Sequence, residues 1–298
     1  MRAVAPRIAA FLGGHPQLAR VAHFVAAVAA AQSRERISLS AAAVAFWAAI
    51  AVTPTLIAIS IIFGRIVDPS VLDEAVKTLR SSAPDSFASL LANQLQTASQ
   101  ASTSTVNWSL ALSLLTVLWA VSSGIYAFLR AVRVAYGMDP QNYINARALA
   151  FAGALITVLV LGVLLLASAA GAAWASSLDE PWRSIAFTLG IAAGLAIGTG
   201  LLVLTFRVAG GKDGPSRHWP GAAFGAVGSL AVSIGFGVYL RFATSYQAMY
   251  GALASTVILS LVLYVATYVI LIGAVANAQL AGIGQDQEGS SRTSNSPA

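Results

Sequence analysis

Cysteine is absent from the 298 residues, which excludes disulfides, thiolate metal sites and cysteine nucleophiles together. Charge is nearly as scarce, at 9% of residues, where a soluble domain carries about 25%. So few charges cannot wet a globular surface, and 57% of the chain is hydrophobic with a mean hydropathy of +0.76. The composition is that of a membrane protein. Histidine occurs three times, at His15, His23 and His218. A hydrolytic metal centre needs several His or carboxylate ligands converging on one ion, so none is expected. No G-x-S-x-G turn is present for a serine nucleophile. Gly210-Gly211-Lys212-Asp213-Gly214 lacks the hydroxyl residue after Lys and the earlier Gly of a phosphate loop, and reads as a turn. Neither an enzyme nor a cofactor is expected.

Long charge-free stretches are what the chain does have. They run over 41–64, 105–129, 148–178, 184–206, 219–240 and 242–285. Crossing a hydrocarbon layer of ~30 Å takes about 20 apolar residues at 1.5 Å each. This places six transmembrane helices near 43–66, 107–129, 149–172, 184–206, 219–240 and 251–279. Extended alternation of apolar and polar residues is missing, which argues against a barrel. The expected fold is an all-α polytopic bundle over 41–282. A cytoplasmic segment, 1–40, precedes it, with an interfacial helix at 17–32 rather than a cleaved signal peptide. A helical outer loop at 68–104 carries two amphipathic stripes, and a polar tail at 283–298 reads as disordered.

Lys and Arg in short connections stay on the cytoplasmic side. One set of flanks holds twelve of them, including Arg130, Arg133, Arg147, Arg207, Lys212 and Arg217, against five on the other set. Both termini are therefore expected in the cytoplasm of a bacterial inner membrane. The net charge of +6 reflects this topology, with membrane lipids as the nearest partner. A nucleic-acid partner would require basic residues interleaved with exposed aromatics, and that pattern is missing.

Glycine marks the fourth and fifth spans. Gly190, Gly194 and Gly198 form a ladder four residues apart, and Gly221 and Gly225 open the next span. Tight helix packing is the favoured reading of these residues, and bending during transport the rival one. Thr53-Pro54-Thr55 interrupts the first span, where Pro removes a backbone hydrogen bond. Interrupted helices at matching positions of two three-helix halves would point to a midplane substrate site, although the halves share no residue-level similarity. Arg130 and Arg133 share a face below Ser122, Ser123 and Tyr126, and suit a lipid phosphate or an acidic substrate if they do not simply snorkel. Tyr246, Gln247 and Tyr250 open the sixth span at belt level. Tyr264 and Tyr268 lie deeper and need partners, while Asn277 and Gln279 read as headgroup-level residues.

With these residues named, the chain resembles the YihY/BrkB family of bacterial inner-membrane proteins, some of whose members carry an old ribonuclease BN label. The resemblance spans roughly residues 35–282. It rests on Ser245-Tyr246-Gln247, Tyr250-Gly251-Ala252-Leu253-Ala254, Leu271-Ile272-Gly273-Ala274, Pro220-Gly221-Ala222 and the first span from Ala41 to Pro54. It implies six spans, cytoplasmic ends and no settled activity, with envelope lipid export or resistance suggested for members. Two positions depart from the family pattern. Val275 stands where a Glu is usual, and Arg133 aligns with a common Asn, so a mechanism through that carboxylate does not transfer. The leading expectation is translocation of an amphipathic or lipid-like molecule, because scarce intramembrane charge suits acyl chains better than ions. The competing expectation is a non-transporting scaffold for envelope proteins. A homo-oligomer is compatible with either.

Overall fold

The computed structural model describes residues 16–63, 108–242 and 244–282. Within those helices some side chains also lie outside the description, those of Thr53, Pro54 and residues 240–256 among them, as do residues 64–107 and 283–298. Every described element is α-helical. In chain order they are α1 (Pro16–Arg34), α2 (Ile37–Phe63), α3 (Trp108–Ala135), α4 (Tyr143–Ser176), α5 (Trp182–Gly210), α6 (Trp219–Phe242) and α7 (Thr244–Leu280). Five of them contain segments long and apolar enough to cross a membrane, and a sixth crossing is reached when Phe24–Ser33 and Ile37–Val52 are taken as one bent span. The bend between those two segments is 64°. It falls at Arg36, whose φ of 51° breaks the right-handed helical run. The six apolar runs read from the sequence correspond to α2 through α7.

Small residues dictate how the helices meet. Ala51 of α2 packs with Val117, Ala120 and Val121 of α3 and with Ala154 and Val158 of α4. A larger cluster occupies the end of the bundle where α3 and α5 finish and α6 begins. It joins Ile37, Ala41 and Val44 to Leu129, Val132, Ala135, Tyr136, Phe206, Ala209, Ala222, Leu271, Ala274, Val275 and Ala278. Alanines recur because a methyl side chain lets helix backbones come close without losing rotamer freedom.

The closest approach is between α6 and α7. A Cβ at Gly221 would collide with the Gly273 carbonyl oxygen, and one at Gly273 would strike Gly221 in return. Gly225 and Gly228 continue the seam against Ile270 and Val269. The α5 ladder is different: a Cβ at Gly190, Gly194 or Gly198 would meet nothing within 4 Å. Two runs with the same spacing thus have opposite surroundings: the α6 glycines face the backbone and side chains of α7, whereas those of α5 face open space.

Candidate functional site

Helix ends leave backbone groups without intrahelical partners, and buried ends must borrow them. Helix α6 begins after His218, which is not among the residues that cap well, and its first turn carries Pro220 where a donor is dispensable. The missing cap comes from another helix. Asn277 of α7, fully buried, accepts a hydrogen bond from the Gly221 N–H at 2.8 Å through Oδ1. Its Nδ2 donates to the His218 carbonyl at 2.8 Å. Asn277 therefore sits inside the protein. It clamps α6 to α7 at the glycine seam.

Helix α5 ends in the same way. Arg133 Nη1 donates to the Ala209 carbonyl at 2.9 Å, and Nε donates to the Asp139 carbonyl at 2.9 Å. A guanidinium suits such carbonyls because it also faces the negative end of the helix dipole. Tyr136, 1% exposed, lies between the two clamps. Its phenol is 3.3 Å from His218 Nδ1, its ring stacks on that imidazole, and Phe206 meets it edge-on. Burial pushes the Tyr136 phenol well above its ordinary range, opposed by a hydrogen bond from the Asn277 side chain. Burial, followed by the Arg207 charge, holds the His218 imidazole below its usual value. Tyr136, His218 and Asn277 thus form a desolvated polar node at one end of the bundle.

A second polar contact joins α3 and α4. Ser123 Oγ accepts from Arg147 Nη2 at 3.2 Å and donates to the Trp119 carbonyl at 2.7 Å. The Arg147 guanidinium lies 5.0 Å from the centre of the Phe151 ring and 5.8 Å from that of Tyr126. Cation–π contact of this kind holds a charge beside the apolar layer. Among the described residues no group of three His, Cys, Asp or Glu is placed to hold a metal ion.

Above the node a groove of about 530 Å³ runs between α5, α6 and α7, lined among others by Ile191, Gly194, Gly198, Leu201, Ala226 and Ser229. The absent side chains of Gly194 and Gly198 make up part of its width. Ser229 Oγ is buried there with no hydrogen-bond partner among the described residues. At its lower end the groove reaches Thr205, next to Phe206 of the node.

A family model for Virulence factor BrkB matches residues 28–296. The chain belongs to the BrkB family. Comparison with curated proteins finds no match, and neither does comparison with solved structures.

The other sequence-derived candidates are dispersed through this BrkB protein. Arg130 is exposed, whereas Arg133, on the same helix, is engaged with the carbonyls of Asp139 and Ala209. Tyr126 meets Tyr143 edge-on beside Arg147. Tyr264 and Tyr268 stack with centroids 6.1 Å apart and pack against the large cluster. Thr53, Pro54, Tyr246, Gln247 and Tyr250 lie in helices, but their side chains lie outside the described residues. The sequence draws attention to His218 and Asn277 singly but does not join them to Tyr136, although one sign of the node is there: α6 has no good N-cap of its own, so a partner has to be supplied from elsewhere.

Proposed function

We propose that this BrkB-family membrane protein translocates an amphipathic or lipid-like molecule. The groove between α5, α6 and α7 carries that reading. Its volume of about 530 Å³ falls in the ~300–1,000 Å³ range of small-molecule sites. Its lining is almost wholly apolar, which suits an acyl chain and gives an ion no compensation for lost water. Orientation belongs to the same proposal. Arg133, Arg207, Lys212 and Arg217 gather at the end of the bundle where α3 and α5 finish, and this positive end is assigned to the cytoplasmic face of the inner membrane. Non-enzymatic action completes the reading.

The test is a flipping assay with a fluorescent phospholipid in reconstituted vesicles, beside lipid profiling of a deletion strain. Gly198→Leu places a bulky side chain into open space within the groove. It is expected to slow transfer while leaving the helical content unchanged. Wild-type protein that moves no lipid, together with an unaltered lipid profile, overturns the proposal in favour of an envelope scaffold. Cleavage of RNA by the purified protein in chelator would overturn the non-enzymatic part.

A further inference from the structure

The node at the end of the bundle holds a titratable group whose protonation state decides whether its hydrogen bonds can all be made. Asn277 uses both ends of its amide: Oδ1 takes the Gly221 N–H, and Nδ2 donates to the His218 carbonyl. The phenol O–H then needs an acceptor, because a buried donor without one is costly. His218 Nδ1, at 3.3 Å, is that acceptor when the ring is neutral and carries its proton on Nε2. A proton on Nδ1 makes the ring a donor there, so the phenol must turn its own O–H away and loses this acceptor.

Among the described residues the charge that acts on such a proton is that of Arg207, from α5, and it opposes it. From α3 come Tyr136 and, one turn earlier, Arg133, both already bonded. From α7 comes Asn277, which is neutral. The α5–α6 connection adds exposed Lys212 and Arg217 against a single acid, Asp213, and the first turn of α6 has no charged residue.

We propose that Tyr136 and His218 form a proton-released latch. With His218 neutral, the latch ties the α5–α6 connection to the ends of α3 and α7. One proton at Nδ1, taken up when the compartment bathing this end acidifies, opens it and frees residues 211–218. The latch rests on the node alone and stands whether or not the groove carries lipid. Its sign follows from the depressed affinity of His218 for protons: the closed form dominates above the ordinary histidine range, and closure is lost as pH falls below about 6.5.

The test is hydrogen exchange on the full-length protein in lipid nanodiscs at about pH 7.5 and about pH 5.5, either side of the histidine range, with labelling times scaled for intrinsic rates. Gly211, Gly221 and Ala222 have bonded amides that report on this segment. Their protection is expected to fall about tenfold at the lower pH, the equivalent of one net hydrogen bond. His218→Asn keeps a neutral acceptor and should hold protection constant with pH. Tyr136→Phe should be unlatched at both values. Wild-type protection that ignores pH overturns the latch, and so does a wild-type-sized change in His218→Asn. Should His218→Asn fail to fold, a wild-type-sized pH response in Tyr136→Phe does the same.

Discussion

Gly221→Ala and Gly198→Ala add the same methyl group to glycines in neighbouring helices, and the structure gives them opposite signs. At Gly221 the new Cβ would overlap the Gly273 carbonyl oxygen and come within 2.6 Å of Asn277 Nδ2. A helix backbone cannot swing aside as a flexible side chain can, so α6 and α7 must separate. Overpacking of this kind costs about 1–3 kcal/mol. Separation also stretches the Gly221 N–H bond to Asn277, worth about 0.5–1.5 kcal/mol net. The sum is a loss of about 1.5–4.5 kcal/mol. Little is recovered from helix propensity, because Gly221 lies in the first turn of α6. At Gly198, mid-helix in α5, the Cβ meets nothing within 4 Å. There the propensity gain of up to about 1 kcal/mol stands alone. Reversible unfolding in mixed micelles, followed by tryptophan fluorescence, measures both variants against wild type. A Gly221→Ala protein as stable as wild type would refute the close approach of α6 and α7. A destabilised Gly198→Ala would mean that the α5 ladder packs against something outside the described residues, a second copy of the chain included.

Asn277→Leu leaves the Gly221 N–H without a partner inside the protein and the His218 carbonyl with the Ala222 N–H alone; a loss of about 1–3 kcal/mol is expected in the same unfolding assay. Arg133→Lys keeps the charge but cannot reach the Ala209 and Asp139 carbonyls together, so it should cost about 1–2 kcal/mol, with most of the deficit shared by Arg133→Gln. Tyr136 stays protonated in the folded protein above its ordinary range, so stability should fall as pH rises beyond about 10, and Tyr136→Phe should remove that alkaline loss. Since the chain has no cysteine, Ser216→Cys labels without background: an impermeant maleimide should reach it only after the membrane is opened, whereas Ser89→Cys, between α2 and α3, should react in intact cells. The reverse pattern would invert the assigned orientation.

Length and charge made the crossings legible. An apolar run of 20 residues or more can satisfy its backbone in hydrocarbon only as a helix, whatever lies beside it. The end of each helix that carries Arg was equally plain, because that signal is local to the flanks. Val275, set apart as a departure from the family pattern, is fully buried in the large cluster, so an apolar residue suits its place. What no local pattern contained was the order of neighbours. Tyr136 and His218 are 82 positions apart, and His218 and Asn277 are 59 apart. Each looks ordinary in its own helix. They meet because Gly221 and Gly273 let α6 and α7 touch, and because Arg133 draws the end of α5 to the end of α3. The same rule explains the two glycine ladders. Spacing of four puts small residues on one face in both α5 and α6, but spacing cannot say whether a backbone or open space lies opposite. Hydrophobicity along the chain thus marked the helices apolar enough to cross, and the placement of Lys and Arg marked which ends gather the positive charge. Only the packing of those helices decided which glycines are contacts, which form a groove, and which scattered polar residues share a single set of hydrogen bonds.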